Sequence, residues 1–118
     1  MYVNIQSMER ADSTAPCCPP LLAGKITAAE ASQLAALFRV LAEPARLQLL
    51  SLIAVQPQQE VRACELVEAL KLSQPTVSHH LKVLYEAGLL EKERRGNWIC
   101  YRIVKDRLAQ LQATLGAG

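Results

Sequence analysis

At 118 residues, of which 51% are apolar, the chain is long enough for one domain with a modest core. No run of about 18 apolar residues offers a membrane span. The net charge of +2 is small but unevenly placed: Lys71 onward carries eight basic and four acidic residues, whereas the first seventy carry five basic and seven acidic.

Residues 1–24 are polar and then proline-rich around APCCPPLLAG, and are expected to form a flexible N-terminal arm ahead of a single domain over 25–118. The opening MYVNIQSMERADST lacks an apolar core, so no secretory signal is expected and the protein is placed in the cytoplasm. There the four cysteines Cys17, Cys18, Cys64 and Cys100 would stay reduced, free for soft metals or redox chemistry.

Thr27-Ala28-Ala29-Glu30 has the spacing of a capping box, in which hydroxyl and carboxylate each satisfy an unpaired amide at a helix start. The helix behind it sets Leu34, Leu37, Phe38 and Leu41 on one face. Pro44 suits the first turn of a second helix, with Leu47, Leu50 and Ile53 expected inward. Gln56-Pro57-Gln58-Gln59 breaks the pattern, and Val61 to Leu70 reads as a short third helix with Leu66, Val67 and Leu70 inward.

Lys71-Leu72-Ser73 turns the chain. Ser73 is placed as an N-cap and Pro75 lies in the first helical turn, where its missing N–H does little harm. The next helix runs to about Ala87 and stops at Gly88, with Val77, Leu81 and Leu84 as its buried stripe. Leu89 to Arg94 and Trp98 to Val104 read as strands joined at Arg95-Gly96-Asn97. From Asp106 a last amphipathic helix carries Leu108, Leu111 and Leu115, a natural dimer surface together with the first helix.

The fold class expected is therefore mainly α with a small β-hairpin wing: a winged helix-turn-helix, homodimeric through its N- and C-terminal helices. Gln74, Thr76, Ser78, His79 and Lys82 then form the polar side of a reading helix. Gln can bond adenine bidentately, and Ser and His can donate to bases or phosphates. Arg94 and Arg95 would grip the backbone from the wing. His79 and His80 diverge by ~100° on a helix and cannot easily share a metal ion.

LSQPTVSHHLKVLYEAGLL followed by ERRGNWICYRI resembles the ArsR/SmtB family of metal-responsive winged-helix repressors, and FRVLAEPARLQLLSLI is similar to that family's "ALxDPxRLxIL" helix. The likeness covers about residues 28–115. It implies a homodimer on double-stranded operator DNA with an inverted repeat, released when an inducer binds. Where many members carry ELCVCDL, this chain has Glu60-Val61-Arg62-Ala63-Cys64-Glu65-Leu66, so Arg62 replaces the first cysteine and Cys64 keeps the second. Cys17-Cys18 between prolines resembles the arm of an arsenic-sensing subgroup, which implies a three-thiolate site of Cys17, Cys18 and Cys64 for As(III) or Sb(III). The family's other site, on the C-terminal helix, needs histidine, and none follows His80.

Alternatives stay open. The same reader could be switched by thiol oxidation or by cadmium or lead, and a winged helix can serve as a protein-interaction module without binding DNA. No nucleophile–base–acid set, phosphate-binding glycine loop or paired carboxylates suggest an enzyme. Cys100, in the second wing strand, is expected to be structural.

Overall fold

The computed structural model describes residues 21–22 and 24–116, so Cys17 and Cys18 lie outside the described residues. Its elements are α1 (Ala28–Leu41), α2 (Pro44–Ala54), β1 (Glu60–Arg62), α3 (Ala63–Leu70), α4 (Gln74–Glu86), β2 (Leu90–Arg95), β3 (Trp98–Ile103) and α5 (Lys105–Leu115). Chain contacts divide these into two compact units, residues 39–104 and the two chain ends up to Phe38 and from Lys105. No described helix is long and apolar enough to cross a membrane.

In the unit of the chain ends, the expected capping box starts α1. The Thr27 hydroxyl accepts from the Glu30 amide at 3.0 Å, and the Glu30 carboxylate accepts from the Thr27 amide at 2.8 Å. Leu34 and Leu37 are buried, as are Leu111 and Thr114 of α5. The Thr114 hydroxyl donates to the Gln110 carbonyl one turn back, which lets a polar side chain be buried without an unmet donor. Leu22 and Leu115 remain exposed.

The 39–104 unit holds the helix-turn-helix and the wing. Glu43 caps α2 by accepting from the Ala45 amide at 3.2 Å, and Pro44 opens the helix. The buried residues of α2 are Leu49, Leu50 and Ile53, while Leu47 is 52% exposed, against expectation. Helical geometry explains this correction: Leu47 lies about 120° around the axis from Ile53, and Leu49 only about 40°.

A second correction concerns Glu60-Val61-Arg62. Val61 and Arg62 do not start the helix but form, with Glu60, a third strand antiparallel to β3, with Val61 buried and opposite Tyr101. The sheet order is β1-β3-β2, so the wing is the outer part of a three-stranded sheet. Unpaired amides on the inner edge of a hairpin draw in any nearby strand, and the β-branched Val61 between two polar residues suits that pairing.

Ser73 caps α4 as expected, its hydroxyl accepting from the Thr76 amide at 3.3 Å. At the other end Leu89 N–H bonds the Leu84 carbonyl and Gly88 N–H bonds that of Tyr85, both at 3.0 Å. Those two bonds make a Schellman motif, with Gly88 at φ +80° in the left-handed position where a side chain is disfavoured. Leu84 and Leu89, both fully buried, occupy the two positions at which such motifs favour apolar side chains.

The hairpin itself is one residue tighter than expected. Arg95 pairs with Trp98, leaving the two-residue loop Gly96-Asn97 with Gly96 at φ +62°. Glycine first in a two-residue loop gives the type II′ turn, whose twist matches the flanking strands.

Candidate nucleic-acid interface

Residues four apart stack on one side of a helix, so Gln74, Ser78 and Lys82 form a row along α4, flanked by His79. All four are exposed, while Val77, Leu81 and Leu84 on the opposite side are fully buried. Burial of one stripe thus fixes the direction in which the polar row points. Thr76 is also exposed, but its hydroxyl already accepts a 2.8 Å hydrogen bond from Ser73.

His80 is not part of that row. It is half-buried, with Arg46 Nη1 3.2 Å from His80 Nδ1, while Arg46 Nε donates to the Val40 carbonyl at 2.6 Å. Accepting from arginine requires Nδ1 to be unprotonated, which places the ring proton on Nε2. Burial is the main force holding the His80 pKa below its ordinary value; Arg46 and His79 add to it and Glu43 opposes them. The depressed pKa means that the unfolded chain binds the proton more readily. The stability due to this contact is therefore complete above the ordinary histidine pKa near 6.5 and is lost as pH falls below it. Thermal melts from pH 7.5 to about 5 should show His80→Gln less acid-sensitive than the wild type. Parallel pH profiles would refute the assignment.

Alternation along the strands gives the wing two unlike faces. Glu91, Glu93 and Arg95 of β2 share one face with Trp98, Cys100 and Arg102 of β3 and with Glu60 and Arg62 of β1. Here Arg95 holds Glu60 through two bonds, at 2.7 and 3.1 Å, and Glu93 at 2.9 Å. Arg102 holds Glu91 at 2.8 Å and Glu60 at 3.3 Å. The hydrogen bond from Arg95 pulls the Glu60 carboxyl below its usual pKa, more than burial raises it. The Arg62 guanidinium carbon lies over Trp98, 4.4 Å from the ring centre. On the other face Lys92 sits 4.4 Å over the Tyr85 ring of α4, and Arg94 is the next residue of β2 on that face.

One open cleft of about 270 Å³ brings these parts together. Arg62, Ala63 and Cys64 line it where β1 meets α3, Gln74 and Ser78 on α4, and Asn97, Trp98, Ile99 and Tyr101 on the wing. Cys64 is a free, exposed thiol, and Cys100 is free and half-buried on the outer face of β3. Among the described residues no group of three His, Cys, Asp or Glu is arranged to hold a metal ion.

Sequence reasoning placed Gln74, Ser78 and Cys64 correctly on their elements but missed that they border one cleft. It also missed the roles of Glu60, Arg62 and Trp98. The alternation of Glu60-Val61-Arg62 was the available signal, though three residues are too few to distinguish a strand from a helix start.

The profile of the family described as "Bacterial regulatory protein, arsR family" matches residues 43–92. The arsenical resistance operon repressor of Staphylococcus xylosus is 34% identical over 70% of this chain and 77% of its own length. Across curated relatives the aligned stretch spans between 50% and 84% of the relative's length. Among solved structures, the AntR antimony-specific transcriptional repressor is 34% identical with a TM-score of 0.64, over 89% of this chain and 92% of that one. The homodimeric winged helix-turn-helix DNA-binding domain Mb0332 of Mycobacterium bovis, a possible ArsR-family regulator, is 33% identical with a TM-score of 0.63. That match covers 77% of this chain and 83% of the other.

Proposed function

The chain belongs to the arsR family of bacterial regulatory proteins, a transcriptional regulator and not an enzyme, and we propose that it is a homodimeric repressor released from its operator by As(III) or Sb(III). The observation that carries this reading is the position of Cys64. Its exposed thiol opens into the same cleft as Gln74 and Ser78, so whatever binds the thiol meets the surface that would read bases.

In the apo state the polar row Gln74, Ser78, His79 and Lys82 enters the major groove, with Thr76 at the helix start and Arg94 on the flanking backbone. Two such heads in a dimer match an inverted repeat, and the exposed Leu22 and Leu115 offer apolar surface for the second copy. As(III) prefers three sulfurs in a pyramid, and soft thiolates select it over harder ions. Cys64 supplies one sulfur, and Cys17 and Cys18 of the arm supply the other two. An inducer held at Cys64 would occupy the cleft that Gln74 and Ser78 also line, so inducer and DNA would exclude one another. The reducing cytoplasm keeps these thiols available.

Such a switch needs a coupling of about 1–3 kcal/mol, or roughly 5–150-fold in affinity. The test is to titrate arsenite into the full chain bound to a duplex selected from random DNA. Absorbance from arsenic–thiolate bonds should grow in step with the loss of DNA affinity. DNA release without that absorbance, driven by oxidant and accompanied by a disulfide in the mass spectrum, would replace the metalloid with a redox signal.

A further inference from the structure

The two wing arginines are adjacent in sequence but differ in what they touch. Arg95 faces the side of the sheet that carries Glu60, Glu91 and Glu93 beside Arg62 and Arg102, and Glu60 and Glu93 both hold its guanidinium. The Glu60 side chain is only 16% exposed and receives Arg102 as well. Arg94 and Lys92 face the other side, where neither strand of the hairpin carries an acid and where Lys92 lies against α4.

We propose that Glu60 is a positioning residue that decides which wing cation meets DNA: it withholds Arg95 from phosphate and leaves that contact to Arg94. The inference rests on the wing touching DNA. A guanidinium paired bidentately with one carboxylate and bonded to a second has no free fork to offer a phosphate. Moving it to DNA would break those bonds and leave the mostly covered Glu60 facing a polyanion. Glu60 belongs to β1, outside the hairpin, and its link to Arg95 also fixes the angle of the wing against the strand that leads into α3. The effect is to limit sequence-independent binding, because each cation kept from the backbone removes one counterion-release term from every duplex alike.

The test is the affinity of the full chain for a random-sequence duplex, measured against salt concentration. Arg94→Gln should make the log–log slope shallower by about 0.9 for each wing on the DNA, whereas Arg95→Gln should leave it unchanged. Glu60→Gln should release Arg95, steepen the slope by about 0.9 per wing and tighten binding up to about 8-fold per wing at 0.1 M salt. Adding Arg95→Gln to Glu60→Gln should remove that gain.

A slope flattened equally by Arg95→Gln and Arg94→Gln would overturn the proposal. So would a Glu60→Gln gain that survives without Arg95. If Glu60→Gln fails to fold, the comparison of the two arginine variants decides alone. A wild-type protein with no salt-dependent affinity would refute DNA binding itself and this proposal with it.

Discussion

Cys64→Ser is expected to abolish release by arsenite while the apo protein keeps its affinity for DNA within about twofold. Serine differs from cysteine by one atom, and Cys64 is exposed at the start of α3, so the fold loses no packing. The chemistry changes completely. A hydroxyl is a hard, protonated donor at neutral pH and does not replace a soft thiolate on As(III). Two arm cysteines cannot complete a three-sulfur site, so the roughly 5–150-fold response should vanish. Competition titrations with and without arsenite measure it directly. A Cys64→Ser protein that still releases DNA at the wild-type arsenite concentration would remove Cys64 from the site. A variant with weakened apo binding would instead make Cys64 a direct contact to DNA.

Leu84→Ala should cost about 2–5 kcal/mol of stability. Leu84 is fully buried on the inner stripe of α4, and its carbonyl accepts the Leu89 N–H bond of the Schellman motif at Gly88. Truncation opens a cavity and loosens the helix end that feeds β2. In a domain of this size each kcal/mol corresponds to about 4–8 °C of melting temperature. Leu47→Ala is the informative comparison, because sequence periodicity assigns both leucines inward while the structure buries only Leu84. The exposed position should change stability by about 0.5 kcal/mol or less. Equal losses in urea unfolding would mean that α2 is rotated from the orientation described.

Much of this was legible beforehand because the signals were local. Ser73 and Pro75 mark a helix start, Gly88 a helix end, and Val77, Leu81 and Leu84 recur at helical spacing. Each follows from backbone geometry within a few residues, so no distant partner is needed to read it. Leu47 was misplaced because a helix rich in leucine has no single apolar stripe, and only the neighbouring elements select the side that is buried. Val61 and Arg62 join a strand and not the expected helix for the same kind of reason. A three-residue strand has almost no signature of its own and forms because β3 offers an open edge forty residues later.

From the sequence alone follow a capped helix with a polar row, a basic hairpin behind it and a cysteine thiol just upstream at Cys64. Chain-local propensities and side-chain chemistry suffice for that. Folding adds that Cys64, Gln74 and Ser78 border one cleft, and that Arg95 is bound to Glu60 and Glu93 on one face of the sheet while Arg94 lies on the other. Both depend on pairing between segments far apart in the chain, where distances of a few ångströms determine whether charges and thiols act together.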